Sequence, residues 1–239
     1  MKLLPKPSPC PKCHDAGGLT VMERVDSFGE VPVWVPCDDA TCIAARERAA
    51  REATASAAFE RLLLTGIPHR FASATLADKP RPGQEGMWLA ARALAARDPI
   101  GERGLLLCGG VRLGKSHAMA ALLRSLHERG VSCVWENWSE LLLKLRASFN
   151  APPGKGRTLE TEKEIHDRLA AANVLFLDDL GADKRSDFSD AALYLVVNAR
   201  YQSLRPIVAS SNFKGDDLGE RLGARIYSRL KETAEVVEL

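Results

Sequence analysis

The 239-residue sequence contains no apolar run approaching the length of a bilayer span, which excludes a transmembrane helix as its organising feature. Its opening stretch, MKLLPKPSPC, carries two lysines but no apolar h-region, so no secretory signal is expected. Charge of one sign is scarce as well. The 33 Lys and Arg nearly cancel 31 Asp and Glu, and a formal net charge of +2 announces no nucleic-acid partner. Any contact with DNA has to come from a local patch. No internal repeat is visible. Cysteine is sparse, yet four of the six fall within the first 42 residues. The chain is therefore expected in the cytoplasm, where thiols stay reduced and such clustering favours metal ligation over disulfides.

What is present divides the chain into three by composition. Residues 1–43 hold the clustered cysteines and a β-like pattern: LTVMERV, a DSFGE turn, then VPVWV. Residues 44–66 are rich in Ala, Arg and Glu, with no Gly or Pro before Gly66, and read as one helix, either a connector or a plain packing helix. From 67 to 239, strand-like apolar runs alternate with amphipathic stretches, which predicts an α/β fold with a parallel sheet. Strands are expected at 104–108, 131–135, 173–178, 206–210 and 234–238. Helices are expected near 84–97, 115–129, 138–148, 159–171, 188–203 and 219–231. The segment NAPPGKGR, 150–157, interrupts this rhythm and reads as a loop. Trp135, Trp138, Cys108 and Cys133 are assigned to packing.

The stretch LLLCGGVRLGKSHAMAALL satisfies G-x-x-x-x-G-K-[ST] through Gly109, Gly114, Lys115 and Ser116, between an apolar strand and a good helix. In this geometry the amides of Gly109, Gly110, Val111, Arg112, Leu113, Gly114 and Lys115 wrap phosphates. The Lys115 ammonium meets the β- and γ-phosphates, and the Ser116 hydroxyl coordinates Mg²⁺. A helix N-terminus at Ser116 and His117 adds its positive dipole end. Many P-loops carry a third Gly where this chain has Arg112, whose side chain either points away from the phosphates or adds a cation there.

A metal also needs a carboxylate, and an attacking water needs a base. NVLFLDDLG supplies both at the C-terminal end of an apolar strand, where ligands bind in open α/β sheets. Asp178 is the expected Mg²⁺ partner through water and Asp179 the expected base. PIVASSNF ends in Ser211 and Asn212, and the Asn212 amide is a candidate sensor of the γ-phosphate. Arg221, Arg225 and Arg229 follow at intervals of four, roughly on one helix face. They form either a solvated cationic stripe or an arginine finger that reaches a neighbouring subunit's nucleotide.

Taken together, GKSHAMAAL, WSELLLKLRASF, VLFLDDLGAD, VVNARYQSLRPIVASSNF and GERLGARIYSRL resemble the DnaC/DnaI-type bacterial helicase loaders in order and spacing. IPHRFASATL resembles the segment leading into their ATPase domain. The resemblance implies an AAA+ ATPase that binds ATP, ADP and Mg²⁺, and loads a hexameric replicative helicase onto single-stranded DNA. It implies self-association through the ATPase domain. Asn212 then takes the sensor-1 position and Arg229 the finger position, with Arg225 in reserve. The family carries a further sensor arginine beyond the final strand, and no residue here matches it. IstB-like transposition ATPases share nearly all of these motifs and provide an alternative, as does a nucleotide-binding adaptor without turnover.

Cys10-x-x-Cys13 and Cys37-x₄-Cys42 flank the predicted hairpin and can converge on tetrahedral Zn²⁺. A module of about 40 residues would struggle to fold on apolar burial alone. His14 is an alternative ligand, strained by its adjacency to Cys13. A zinc-bearing N-terminal domain resembles the DnaI branch, where it belongs to the helicase-engaging part. Phe149, Lys155, Arg157, Lys184, Arg185 and Phe188 combine cations with aromatic rings and are either contacts for single-stranded DNA or solvated loop charges with Phe188 in the core.

Overall fold

The computed structural model describes residues 10, 12–13, 18–25, 29–149 and 160–239. The loop candidates Lys155 and Arg157, the Phe149 side chain and His14 lie outside the described residues. Two compact units divide the chain, Met1–Glu60 and Arg61–Leu239.

In the first unit, β1 (Gly18–Val25) and β2 (Gly29–Pro36) pair antiparallel, with Gly18 opposite Pro36 and Val25 opposite Gly29. The helix expected over 44–66 is α1 (Ala40–Leu63). It starts earlier because Asp39 is its cap, with Oδ1 accepting from Thr41 N at 2.9 Å and the Asp39 carbonyl accepting from Ile43 N. Its Ala-, Arg- and Glu-rich sequence draws on intrinsic propensity rather than an apolar stripe.

The second unit is a five-stranded parallel sheet. Its strands are β3 (Gly104–Cys108), β4 (Cys133–Asn137), β5 (Val174–Leu180), β6 (Ile207–Ser211) and β7 (Ala234–Glu238), in the spatial order β4-β5-β6-β3-β7. Successive side chains feed opposite faces, so both faces carry a core. Leu105, Leu107, Trp135, Phe176 and Val208 pack beneath α2 (Glu85–Ala95) and α3 (Lys115–Glu128). Leu106, Cys108, Leu175, Leu177 and Ala209 pack beneath α4 (Trp138–Phe149), α5 (Glu162–Ala171) and α6 (Asp187–Gln202) on the other. Trp135 and Trp138 are both buried, and Trp135 stacks on Phe176 with centroids 6.1 Å apart. At the outer rim of β4, Trp135 N donates to Thr65 O at 2.6 Å, and a Cβ on Gly66 would stand 2.4 Å from Trp135 O.

Two expectations need correction. The helix over 219–231 is two helices, α7 (Gly215–Leu222) and α8 (Ala224–Thr233), broken at Gly223 with φ 82°. Arg185 Nη1 donates to Glu220 O at 2.8 Å and satisfies a carbonyl that α7 leaves without a helical partner. Arg221 is thereby separated from Arg225 and Arg229, so the three do not share a face. The strand expected at 131–135 lies at 133–137, because Val131 N closes the turn after α3 on Leu126 O.

Candidate functional site

The chain leaves β3 at Cys108 and crosses to β4 at the far rim of the sheet, which opens a crevice at the C-terminal tips of β3, β6 and β5. The loop after β3 enters α3 through Gly114, whose φ of 83° suits a residue without a side chain. A Cβ there would lie 2.8 Å from Gln84 Nε2, which itself donates to Leu113 O at 2.7 Å. Arg112 takes φ 63°, a left-handed conformation that costs a non-glycine residue roughly 1–2 kcal/mol. That explains why glycine suits this position. Arg112 is among the residues that line the pocket.

Lys115 is buried and donates to Gly109 O at 2.9 Å, Gly110 O at 2.8 Å and Asn212 Oδ1 at 2.9 Å. Asn212 Nδ2 in turn reaches Asp179 Oδ1 at 3.3 Å. Ser116 Oγ donates to Asp178 Oδ1 at 3.0 Å, and Ser210 Oγ donates to the same oxygen at 2.5 Å. Asp179 takes φ 60° and is fixed by its own N–H donating to Ser210 Oγ at 3.0 Å. Sequence-predicted residues from α3, β5 and the end of β6 are thus joined in one hydrogen-bonded group. Ser210, their common partner, was not singled out in the sequence.

The electrostatics are those of a site short of counter-charge. Burial lowers the Lys115 ammonium below its ordinary value, against the pull of Asp179 and Asp178. Burial raises the Asp178 carboxyl, although the Ser210 and Ser116 hydroxyls act the other way. A polyanion on Lys115 and a divalent cation between Ser116 and Asp178 relieve both penalties.

A pocket of about 840 Å³ opens beside this group, lined by Val111 to His117, Asp179 and Asn212. Its opposite wall consists of residues that sequence reasoning missed: Arg70, Phe71, Asp78, Lys79, Arg81, Gln84 and Trp88. From Arg70 to Arg81 this wall falls in short turns without periodicity, while Gln84 and Trp88 lie at the start of α2, the helix expected at 84–97. His117 joins the two walls, with Nε2 2.8 Å from Asp78 Oδ2 and its ring 5.8 Å from that of Trp88. Arg225 and Arg229 do not line this pocket; both stack on Tyr194 of α6. Among the DNA candidates, Arg185 is committed to Asp190 and α7, Phe188 lies under the Arg146 guanidinium, and Lys184 is exposed.

In the first unit, Cys10, Cys13, Cys37 and Cys42 converge, with all four Sγ atoms within 4.8 Å of one another. The Cys10–Cys37 and Cys13–Cys42 sulfurs are 3.8 and 3.4 Å apart. Tetrahedral zinc with Zn–S bonds of about 2.3 Å sets its sulfurs about 3.8 Å apart. The cluster contains no other apolar residue among those described, so no hydrophobic core accounts for four buried thiols. The set fits a zinc site.

No family model matches the chain. The replicative helicase loader DnaI of Bacillus subtilis is 29% identical over 135 residues, 56% of this chain and 40% of that protein. The loader DnaC of Escherichia coli K12 is 22% identical over 118 residues, 49% of this chain and 46% of that protein. The chain thus aligns with less than half the length of these relatives. The crystal structure of the DnaC helicase loader superposes with a TM-score of 0.63 at 22% identity, covering 72% of this chain and 99% of that one. No helix among the described residues is long and apolar enough to cross a membrane. Over the aligned half the chain is similar to the DnaC/DnaI-type helicase loaders, and the α/β fold of its second unit matches their AAA+ P-loop domains.

Proposed function

We propose that this protein is an ATP-dependent loader that places a hexameric replicative helicase on single-stranded DNA during replication initiation. The observation that carries the proposal is the linked group Ser116–Asp178–Ser210–Asp179–Asn212–Lys115, where the start of α3 meets the tips of β5 and β6. Its members match the needs of phosphoryl transfer one by one. The 109–115 amides and Lys115 hold ATP or ADP, and Ser116 with Asp178 holds Mg²⁺. Asp179 accepts the proton of the attacking water, and Asn212 follows the γ-phosphate. Arg229, with Arg225 in reserve, reaches the γ-phosphate bound by a neighbouring copy, which ties hydrolysis to self-association. The first unit, organised by Zn²⁺ on its four cysteines, engages the helicase, as the DnaI resemblance suggests. Such work belongs in the cytoplasm.

The test is reconstitution with a hexameric helicase from the same cell. Co-purification in a defined ratio is expected, together with ATP turnover that rises when helicase and single-stranded DNA are both present. Preference for duplex DNA without helicase binding would favour a transposition partner instead. Absence of turnover with every component present would leave a nucleotide-binding adaptor.

A further inference from the structure

Arg225 and Arg229 lie one turn apart on α8, and both guanidinium groups pack on the Tyr194 ring, 4.4 and 4.9 Å from its centroid. Arg229 also stands 5.3 Å from the Tyr201 centroid and donates through Nη1 to Asn198 Oδ1. Tyr194, Asn198 and Tyr201 recur at intervals of four and three along α6, so one stripe of that helix meets α8. Glu232, nearly one turn beyond Arg229, accepts from the Tyr201 hydroxyl at 3.0 Å. Among the described residues, no carboxylate forms an ion pair with Arg225 or Arg229.

Two like charges on one ring repel each other, and among the described residues no carboxylate pairs with either. Ring faces and one amide hold them in place instead. A guanidinium whose rotamer is already fixed loses less freedom when it meets an anion. Neither arginine lines the P-loop pocket of its own chain, so an anion that meets them would belong to another molecule.

We infer that Tyr194 and Asn198 are positioning residues that aim the Arg225–Arg229 pair at the terminal phosphate of a nucleotide bound to a second copy of this chain. This rests on the finger role proposed above and adds the groups responsible for its aim. Tyr194 supplies the face on which both cations rest. Asn198 fixes the roll of the Arg229 guanidinium about its own axis.

The experiment mixes two full-length variants. An Arg229→Ala acceptor binds ATP but lacks the finger; a Lys115→Ala donor, assayed at ATP too dilute to fill its weakened site, keeps its arginines. Mixing them is expected to restore turnover in the acceptor. A donor carrying Tyr194→Ala as well is expected to restore roughly tenfold less or lower, while a Tyr194→Phe donor keeps the rescue because the ring face remains. An Asn198→Ala donor gives a second reading should Tyr194→Ala fail to fold, as judged by circular dichroism. Full rescue by folded Tyr194→Ala and Asn198→Ala donors overturns the inference and leaves the finger intact. Failure of the parent Lys115→Ala donor rejects the finger itself, and the aiming role with it.

Discussion

His117 and Asp78 meet across the mouth of the pocket, Nε2 to Oδ2 at 2.8 Å, and fasten the first turn of α3 to the turns that precede α2. Asp78 is held from its other side by Thr75, whose hydroxyl donates to Oδ1 at 2.8 Å. The pocket therefore has one wall made of the P-loop and another tied to it by the His117 imidazole and by the Gln84 amide, which donates to Leu113 O.

This pair gives the protein an acid dependence. The Thr75 hydroxyl foremost, and then His117, hold the Asp78 carboxyl below its ordinary 3.8. A carboxyl depressed in the folded state contributes stability above its unfolded value, and that stability is lost as pH falls through the folded value. Urea midpoints of the native protein and Asp78→Asn should separate above about pH 4 and converge in stronger acid. The separation will be small because the pair is partly solvated. Parallel curves throughout would mean that Asp78 contributes no charge-dependent stability.

Lys115 and Asn212 should separate binding from chemistry. Lys115→Ala removes the ammonium that meets the phosphates, and ADP affinity should fall roughly a hundredfold, measured with a fluorescent analogue. Asn212→Ala should leave ADP binding near native while ATP turnover drops by roughly a hundredfold. Equal loss of binding in both variants would mean that Asn212 serves the P-loop rather than the reacting phosphate.

Arg200 is fully buried and donates to four carbonyls, Leu169 O, Ala172 O, Asn173 O and Pro206 O, at 2.7 to 3.1 Å. Burial, with Arg205 nearby, pushes its guanidinium down to about 10, so it stays charged at neutral pH. Arg200→Met strands those carbonyls and should cost about 3 kcal/mol or more by urea unfolding. A loss below about 1 kcal/mol would mean that water replaces the guanidinium there.

Zinc should be stoichiometric and local. One ion per chain is expected by elemental analysis, with sulfur-only coordination by X-ray absorption. Chelation or Cys37→Ser should abolish the β-hairpin signals of residues 18–36 in NMR spectra while ADP binding to the second unit persists. A chain that keeps those signals without metal would refute a folding role for zinc.

Much of this was legible in the sequence because strand runs, P-loop, paired aspartates and cysteine spacing are local signals. LLLC and NVLFLDD announced their own burial, and the residues at their ends had nowhere to lie but the sheet's C-terminal edge. The break at Gly223 was missed because two glycines four apart are also compatible with a continuous helix, and only the Arg185 cap marks the end. The far wall of the pocket was missed for a different reason. Phe71 and Asp78 reach the P-loop from turns that leave no period or spacing to read, and the period of α2 marks Trp88 as buried without showing what it faces. Ser210 illustrates the same limit, since a serine within a strand looks like any other until its hydroxyl is seen between two aspartates.

The hydrogen bond from Trp135 to Thr65 carries a consequence for solubility. A parallel sheet has two raw margins, each able to recruit a foreign strand. Here the β4 margin is stitched over by the chain's own residues, with Gly66 lying where any larger residue would collide with Trp135. The opposite margin, β7, displays Glu235 and Glu238 to solvent. A bulky residue at position 66 would prise the stitch open, and the exposed amide of Trp135 would invite a neighbouring molecule to complete the row.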